Sequence, residues 1–344
     1  MRVSDFDYEL PVELIAQAPL SQREASRMMI VDRRTQRWHD SRFVEFPAQL
    51  REDDVVVLNN TRVFPARLAG ERIPSGGRVE LLLLKELEPN IWEALARPAR
   101  RLKPAVCLRF GAELLGEVLE CRENGVRVVR FECEGRLMEI MDRIGQTPLP
   151  PYIKRDAGAE NEDRERYQTV YAKHRGAIAA PTAGLHFTDQ LLSRIKAAGV
   201  SIVELTLHVG YGTFDPVRFD DVSKHRVAPE HYSISDQAAD AINQARSRGR
   251  RVIAVGTTTT RAMESATDDH RVTASGSGNA NLTIVPGYRF RAVDALLTNF
   301  HLPRSSLLML VSAFAGRELV LAAYHHAVKE KYRFYSYGDC MLII

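Results

Sequence analysis

Residues 251–266 read RVIAVGTTTTRAMESA. Arg251–Val255 is a short, β-branched apolar run, Gly256 interrupts it, and Thr257–Ser265 moves through polar threonines into a helix-forming stretch. The segment therefore predicts a strand, a polar loop and a helix in succession. The same order recurs on both sides. Upstream, Ala177–Ala180 reads as a strand. Thr188 is placed to N-cap a helix whose apolar positions are Leu191, Leu192 and Ile195, with Gly199 as its C′ residue, and Ser201–Leu207 is the next strand. Ser235 starts another helix. Downstream, Ser275–Asn281 reads as a flexible loop of small residues and Ala295–Leu297 as an apolar strand. Ser305 caps a helix over Leu307–Phe314, and Arg333–Tyr335 begins a last short strand. Strand–helix alternation predicts an α/β fold with a parallel sheet or an α/β barrel.

The N-terminal 60 residues belong to the same material. Val12–Gln17 reads as a short helix and Met28–Val31 as a strand. Val55–Leu58 is a fully apolar strand, expected to be buried on both faces. Between these stretches the texture changes. Val79–Leu84, Trp92–Arg97, Cys107–Phe110, Leu114–Leu119 and Val126–Cys133 are short and β-rich. Gly76-Gly77, Pro89-Asn90, Gly111 and Asn124-Gly125 separate them as turns. This predicts a small antiparallel β-barrel over 65–146, inserted into an α/β-barrel-like domain made of 1–64 and 147–344. The polar stretch Arg155–Arg166 reads as a loop.

Bulk properties set limits. The chain has 344 residues, 45% hydrophobic and 26% charged, with a formal net charge of +3. That composition suits a soluble globular protein and permits an anionic partner without requiring one. Two basic clusters stand out, Arg97, Arg100, Arg101 and Lys103, and Arg246, Arg248, Arg250 and Arg251. Spacing alone does not decide whether either is a phosphate track or solvated surface. The four cysteines form no C-x-x-C pair and the ten histidines no metal-ligand spacing, so neither a metal nor a cluster cofactor is expected. The acidic, h-region-free N-terminus and the short apolar run Leu307–Ala315 predict no signal peptide and no membrane span, hence a cytoplasmic protein.

Polar residues concentrate just after the predicted strands: His186 in APTAGLHFT, His208 in HVGYGTF, Thr257, Thr258 and Arg261 in GTTTTR, Asn299 and His301 in TNFHLP, and Asp339 in RFYSYGD. Parallel strands end on one side, where α/β folds build their sites. His186 and His208 are expected after consecutive strands of one βαβ unit. Taken singly, each residue has a plainer reading as a loop brace, a tight turn or a strand end. A glycine-rich turn followed by an acid about 20 residues later, as a dinucleotide-type site needs, is absent.

The segments DFDYELP (5–11), LNNTRVFPARL (58–68), RYQTVYA (166–172), AAPTAGLHFT (179–188), HVGYGTF (208–214), VGTTTTRAMESA (255–266), TNFHLPRSSLLMLVSAFAG (298–316) and RFYSYGDCMLI (333–343) together resemble the S-adenosylmethionine:tRNA ribosyltransferase-isomerases of queuosine biosynthesis. The resemblance runs across nearly the whole chain. It implies an α/β-barrel domain with an inserted antiparallel barrel. It implies as substrates S-adenosylmethionine, consumed rather than bound as a cofactor, and an anticodon stem–loop carrying 7-aminomethyl-7-deazaguanine at the wobble position. The implied products are epoxyqueuosine-tRNA, adenine and methionine. Candidate catalytic residues are then His186, His208, Glu230, His301 and Asp339. Candidate substrate-binding residues are Thr182, Gly184, Tyr211, Thr257, Thr258, Arg261, Asn299 and Tyr337, and a monomer is expected. One departure matters: after His225 the family shows Met-His-Ser before a glutamate, whereas Val227, Ala228 and Pro229 precede Glu230 here.

The reaction needs a base for the proton on the 5′ carbon beside the sulfonium, a role suited to a near-neutral imidazole or a desolvated carboxylate. It needs help for the leaving adenine and a cationic or N–H partner for the methionine carboxylate. Two other readings compete. A methyltransferase would yield a methylated product. A non-catalytic RNA-binding protein would yield none and leave the polar strand ends unexplained.

Overall fold

The structure is a computed structural model that describes residues 1–155, 160–214, 217 and 219–344. The chain divides into two compact units. One comprises Met1–Arg62, Pro151–Lys154 and Gln168–Ile344, and the other Val63–Pro150 and Arg155–Tyr167. In chain order, the first unit begins with strands β1 (Arg27–Asp32), β2 (Arg37–Arg42) and β3 (Val55–Asn59), and β4 (Thr61–Val63) leads out of it. The second unit holds β5 (Arg67–Ile73), β6 (Arg78–Glu88), β7 (Ile91–Arg97), β8 (Cys107–Phe110), β9 (Leu114–Cys121) and β10 (Val126–Cys133), then helices α1 (Leu137–Ile144) and α2 (Glu160–Arg166). The remainder is β11 (His174–Ala177), α3 (Asp189–Ala197), β12 (Ser201–Leu207), β13 (Glu230–Ile234), α4 (Asp236–Ser247), β14 (Val252–Val255), α5 (Thr257–Ala266), β15 (Gly276–Ala280), β16 (Ala295–Asn299), α6 (Ser306–Ala315), α7 (Arg317–Lys329) and β17 (Cys340–Ile343).

In the second unit six antiparallel strands close a barrel in the order β10-β7-β6-β5-β8-β9. Alternation drives it: Trp92, Ala94 and Ala96 on β7, and Leu108 and Phe110 on β8, point into a core that also holds Val129 and Phe131. The unit's two ends are tied together. Arg67 and Gln146 exchange both backbone hydrogen bonds, at 3.2 and 2.8 Å. The stretch read as a loop at Arg155–Arg166 instead forms α2 over 160–166, and Arg155 pairs with Asp163. The rest of that stretch, 156–159, lies outside the described residues.

The first unit is built on a nine-stranded sheet in the order β15-β13-β12-β3-β14-β16-β17-β1-β2. Four central strands, β12, β3, β14 and β16, run parallel. The sheet as a whole is mixed rather than parallel throughout, because β13 is antiparallel to β12, β15 to β13, β17 to β16 and β2 to β1. β3 sits at the centre with all five residues buried, as an apolar strand with neighbours on both sides and cover on both faces must be. The helix caps follow the sequence. Thr188, Ser235 and Ser305 hydroxyls accept the N–H of Leu191, Ala238 and Leu308 at 3.1–3.2 Å, and Gly199 ends α3 with φ +77°.

Three expectations are corrected. The strand placed at Ala177–Ala180 is β11 at His174–Ala177. It lies in a separate two-stranded ribbon outside the main sheet, so His186 and His208 do not close one βαβ unit. The flexible loop Ser275–Asn281 contains β15, an edge strand paired with β13 from Glu230↔Ala280 to Ile234↔Gly276. Its small residues hid the strand because β-propensity measures side-chain packing that Gly and Ser do not supply. Arg333–Tyr335 is not a regular strand: Phe334 forms an isolated bridge with Ile15, and the sheet strand is β17, just after Asp339.

Candidate active site

The mixed sheet gathers the chemistry along one edge. The parallel strands β12, β3, β14 and β16 present their C-terminal ends there. The antiparallel β13 and β17, and β1 paired in parallel with β17, present their N-terminal ends. In strand order the edge carries Glu230, His208, Asn59, Gly256 with Thr257, Asn299, Asp339 and Ser26. Asp339 thus reaches the edge from the start of β17, not from the end of a preceding strand.

At the β16–β17–β1 end the groups are locked. His186 is buried. Its Nδ1 lies 2.9 Å from Ser26 Oγ and its Nε2 3.2 Å from Asn299 Oδ1. Asn299 Nδ2 donates to the Tyr335 carbonyl at 2.8 Å, so Oδ1 must accept and His186 Nε2 carries the proton. Burial pushes the imidazole down to about 4, against a smaller upward pull from Asn299. Both Asp339 oxygens accept backbone N–H groups, from Arg27 at 2.9 Å and Arg333 at 2.8 Å, and burial raises its pKa above the usual carboxylate range. His301 is buried, with Nε2 2.9 Å from Thr298 Oγ1, its N–H donated to Tyr324 Oη and its carbonyl accepting from Tyr8 Oη; burial pushes it down to about 3. Tyr337 is buried on the segment that leads into Asp339.

At the β12–β13 end the groups are more open. His208 is half-buried. Nδ1 lies 2.8 Å from Thr61 Oγ1, and Nε2 has no partner among the described residues. Burial, then the neighbouring His231 and His174, lowers its pKa. Glu230 is buried: Oε1 accepts the Gly210 N–H at 2.9 Å and Oε2 the Arg261 guanidinium at 2.5 Å. Arg261 also donates to the carbonyls of Ala280, Leu282 and Ala228, at 2.7, 3.3 and 3.3 Å, so all three of its nitrogens are engaged within the chain. Beside the pair lies a cavity of about 20 Å³, lined among others by His225, Ala228 and Gly212. His225 Nε2 is buried without a partner among the described residues.

Between the two ends stands the N-terminus of α5. Its first intrahelical bond runs from the Thr260 N–H to the Gly256 carbonyl, leaving the earlier N–H groups without intrahelical acceptors. Thr258 Oγ1 is likewise buried and unpartnered among the described residues. Thr182 and Gly184 lie on a short 3-10 turn, Thr182–His186. A Cβ on Gly184 would stand 2.1 Å from Tyr171 Oη, so only glycine lets that turn approach. Tyr211 is half-buried on the turn Tyr211–Phe214. Among the described residues no group of three His, Cys, Asp or Glu is placed to hold a metal, and no single helix is long and apolar enough to cross a membrane.

The family described as queuosine biosynthesis protein matches residues 3–343. The chain belongs to this family. Proteins named S-adenosylmethionine:tRNA ribosyltransferase-isomerase from Desulforamulus reducens and Syntrophotalea carbinolica are 49% and 50% identical to it, over the whole of both chains. The crystal structure of S-adenosylmethionine tRNA ribosyltransferase from Thermotoga maritima is 36% identical. It matches over 99% of this chain and 100% of that one, with a TM-score of 0.56. The segment Val227–Pro229, read from the sequence as departing from the family pattern, lies beside the buried pair. The Ala228 carbonyl receives Arg261, the Val227 N–H donates to Thr283 Oγ1 at 3.1 Å, and Ala228 packs where a Cβ on Gly212 would come within 2.8 Å. Sequence reading gave no site role to His225, Ser26, Thr61, His231 or Tyr171 in this queuosine-family chain. Thr61 and Tyr171 lie inside family segments, whereas nothing local to Ser26 marks it.

His186 makes stability depend on pH. Its folded pKa, about 4, lies below the ordinary 6.5 of an unfolded histidine. Its contribution is therefore complete above pH 6.5 and is lost as pH falls toward 4. The difference is worth about 3 kcal/mol. Urea unfolding at pH 7 and pH 4.5 should show wild type losing markedly more stability than His186→Gln over that interval; parallel losses would remove His186 as the cause.

Proposed function

We propose that this chain transfers and isomerises the ribosyl group of S-adenosylmethionine onto 7-aminomethyl-7-deazaguanine at the wobble position of tRNA, and that the chemistry runs at the β12–β3–β14 stretch of the sheet edge. The products are epoxyqueuosine-tRNA, adenine and methionine. The observation that carries the placement is His208, a half-buried imidazole with one nitrogen braced and the other open. With the Thr61 hydroxyl donated to the His174 carbonyl (3.5 Å), Nδ1–H donates to Thr61 and Nε2 keeps its lone pair. A lowered pKa keeps that nitrogen unprotonated at neutral pH, ready to take the proton from the 5′ carbon that the sulfonium acidifies.

Glu230 and Arg261 act as positioning residues: through the Gly210 N–H the carboxylate fixes the loop carrying His208 and Tyr211. With Arg261 engaged, the methionine carboxylate falls to the α5 N-terminus, where free N–H groups, the helix dipole and Thr258 Oγ1 converge. That terminus is two strand spacings from β12, about 10 Å. His186, His301 and Asp339 hold the neighbouring loops in place through Asn299, Thr298 and backbone N–H groups. On this reading the chain acts on tRNA as a monomer in the cytoplasm.

The reaction transfers no net electrons. Purified protein given S-adenosylmethionine and tRNA bearing the aminomethyl deazaguanine should release adenine and methionine in equal amounts, with no added metal or redox reagent. A methylated RNA would instead make the protein a methyltransferase. Loss of activity with chelator, restored by zinc, would overturn the metal-free reading.

A further inference from the structure

The two basic clusters have different fates. In the second, Arg250 pairs with Asp53 at 3.3 Å and Arg251 with Asp54 at 2.5 Å. Arg246 is held by the carbonyls of Arg271 and Ala292. Those three brace the first unit, and only Arg248 of that cluster is exposed without an ion pair among the described residues. In the first cluster Arg97, Arg100, Arg101 and Lys103 are all exposed, and none has a carboxylate within ion-pair distance among the described residues.

The turn that carries them is anchored from inside the barrel. Arg127 on β10 is buried and pairs with no carboxylate among the described residues. It donates through Nε to the Leu102 carbonyl at 2.6 Å, through Nη2 to the Ala99 carbonyl at 2.5 Å, and through Nη1 to the Val126 carbonyl at 2.7 Å. Leu102 itself is fully buried. A guanidinium taken from water without a counter-charge is costly, and here it fixes the segment between Arg97 and Lys103. A groove beside this turn is lined by Arg97, Arg78, Arg109, Glu71 and Glu80. Its two acids pair with other arginines, Glu71 with Arg109 at 3.7 Å and Glu80 with Arg67 at 3.8 Å, while Arg78 and Arg97, opposite Glu71 and Glu80 across the strands, have no carboxylate within ion-pair distance among the described residues.

We infer that this rigid cationic turn, Arg97–Lys103 with Arg78 beside it, is the surface on which the barrel unit takes the phosphate backbone of the RNA substrate. The inference rests on the tRNA reading above. A polyanion gains from exposed cations that are not held in ion pairs, and a turn held from within loses little entropy on docking.

The test reads binding without turnover, so it stands apart from the reaction. An unmodified anticodon stem–loop is titrated with protein at salt concentrations between about 50 and 300 mM, a range over which phosphate contacts change affinity steeply. The quadruple variant Arg97→Gln, Arg100→Gln, Arg101→Gln, Lys103→Gln should show a log K against log salt slope shallower by about 3, the loss of four phosphate contacts. Arg248→Gln, in the other cluster, should leave the slope unchanged. In turnover assays the quadruple variant should raise KM for tRNA at least tenfold and leave KM for S-adenosylmethionine unchanged. Should the quadruple variant misfold, the double variant Arg100→Gln, Arg101→Gln should lose about half the slope change. An unchanged slope in a folded variant, or equal rises in both KM values, overturns the inference even if wild type releases adenine. Absent adenine release with a cation-dependent RNA slope would instead remove the proposed reaction and leave this surface standing.

Discussion

Replacing His208 by alanine lowers turnover by about two orders of magnitude or more, the usual scale for a lost general base, and leaves the fold nearly unchanged. The second half follows from the geometry. His208 is half-buried and makes one side-chain hydrogen bond, to Thr61. Its removal deprives the sheet of little packing. Turnover and melting temperature are measured on the same preparations. Thr61→Val, which removes only the hydroxyl bracing Nδ1, should cost roughly tenfold, less than losing the base itself. The acid side of the pH profile gives an independent sign. Burial, His231 and His174 lower the His208 pKa, so the active unprotonated form should persist below pH 6.5 and the rate should fall only at more acidic pH. His208→Ala should abolish that limb. A variant with near-normal turnover, or with the limb intact, would return His208 to the role of a loop brace.

Arg261→Ala should destabilise the protein by about 3–5 kcal/mol, because it leaves Glu230 charged and buried without its partner. It also strips a donor from the carbonyls of Ala280, Leu282 and Ala228. In a protein of this size that corresponds to a fall in melting temperature of about 4–7 °C. Glu230→Ala should be comparably damaging. The double variant should be more stable than the sum of the two losses predicts, since neither charge is then left alone. Arg261→Lys should not rescue, because an ammonium cannot reach a carboxylate and three carbonyls in the directions a planar guanidinium does. A melting temperature within a degree or two of wild type for Arg261→Ala would show that the pair is solvated in solution.

What the sequence revealed follows from which physical signals are local. Five of the six barrel strands were legible because turn residues bracket them and each is a compact β-prone run, whereas β5, Arg67–Ile73, mixes charged residues with glycine and was not read. Cys107–Phe110 and Val126–Cys133 carry the bounds read for them. Val55–Leu58 was legible as a central strand because burial on both faces leaves no room for polar alternation. Strand direction was not legible, since it depends on which neighbour a strand finds. β17 and β13 run against the parallel core, and Asp339 and Glu230 stand at strand starts rather than strand ends. The convergence of polar residues on one edge was read from five strand ends, and the reason holds for three of them, β12, β14 and β16. Nor could the sequence separate His186 from His208. Both sit in glycine-bearing family segments, AAPTAGLHFT and HVGYGTF. Only the partners, Ser26 from 160 positions away and Thr61 from 147, distinguish a clamped imidazole from one with a nitrogen open.

The antiparallel pairing of Arg67 with Gln146 bears on how the chain assembles. Roughly eighty residues lie between them, and bringing the ends of so long a flexible segment together costs about 4 kcal/mol in loop-closure entropy. Once the barrel has folded, that closure is already made, and the host chain meets the insertion as if it were a hairpin. The sheet's central strands come from both sides of the insertion, β3 before it and β12 and β14 after it. Parallel pairing of β3 should therefore be slow until the barrel forms and fast afterwards. Weakening the barrel core would then show first as delayed folding of a sheet whose own residues are untouched.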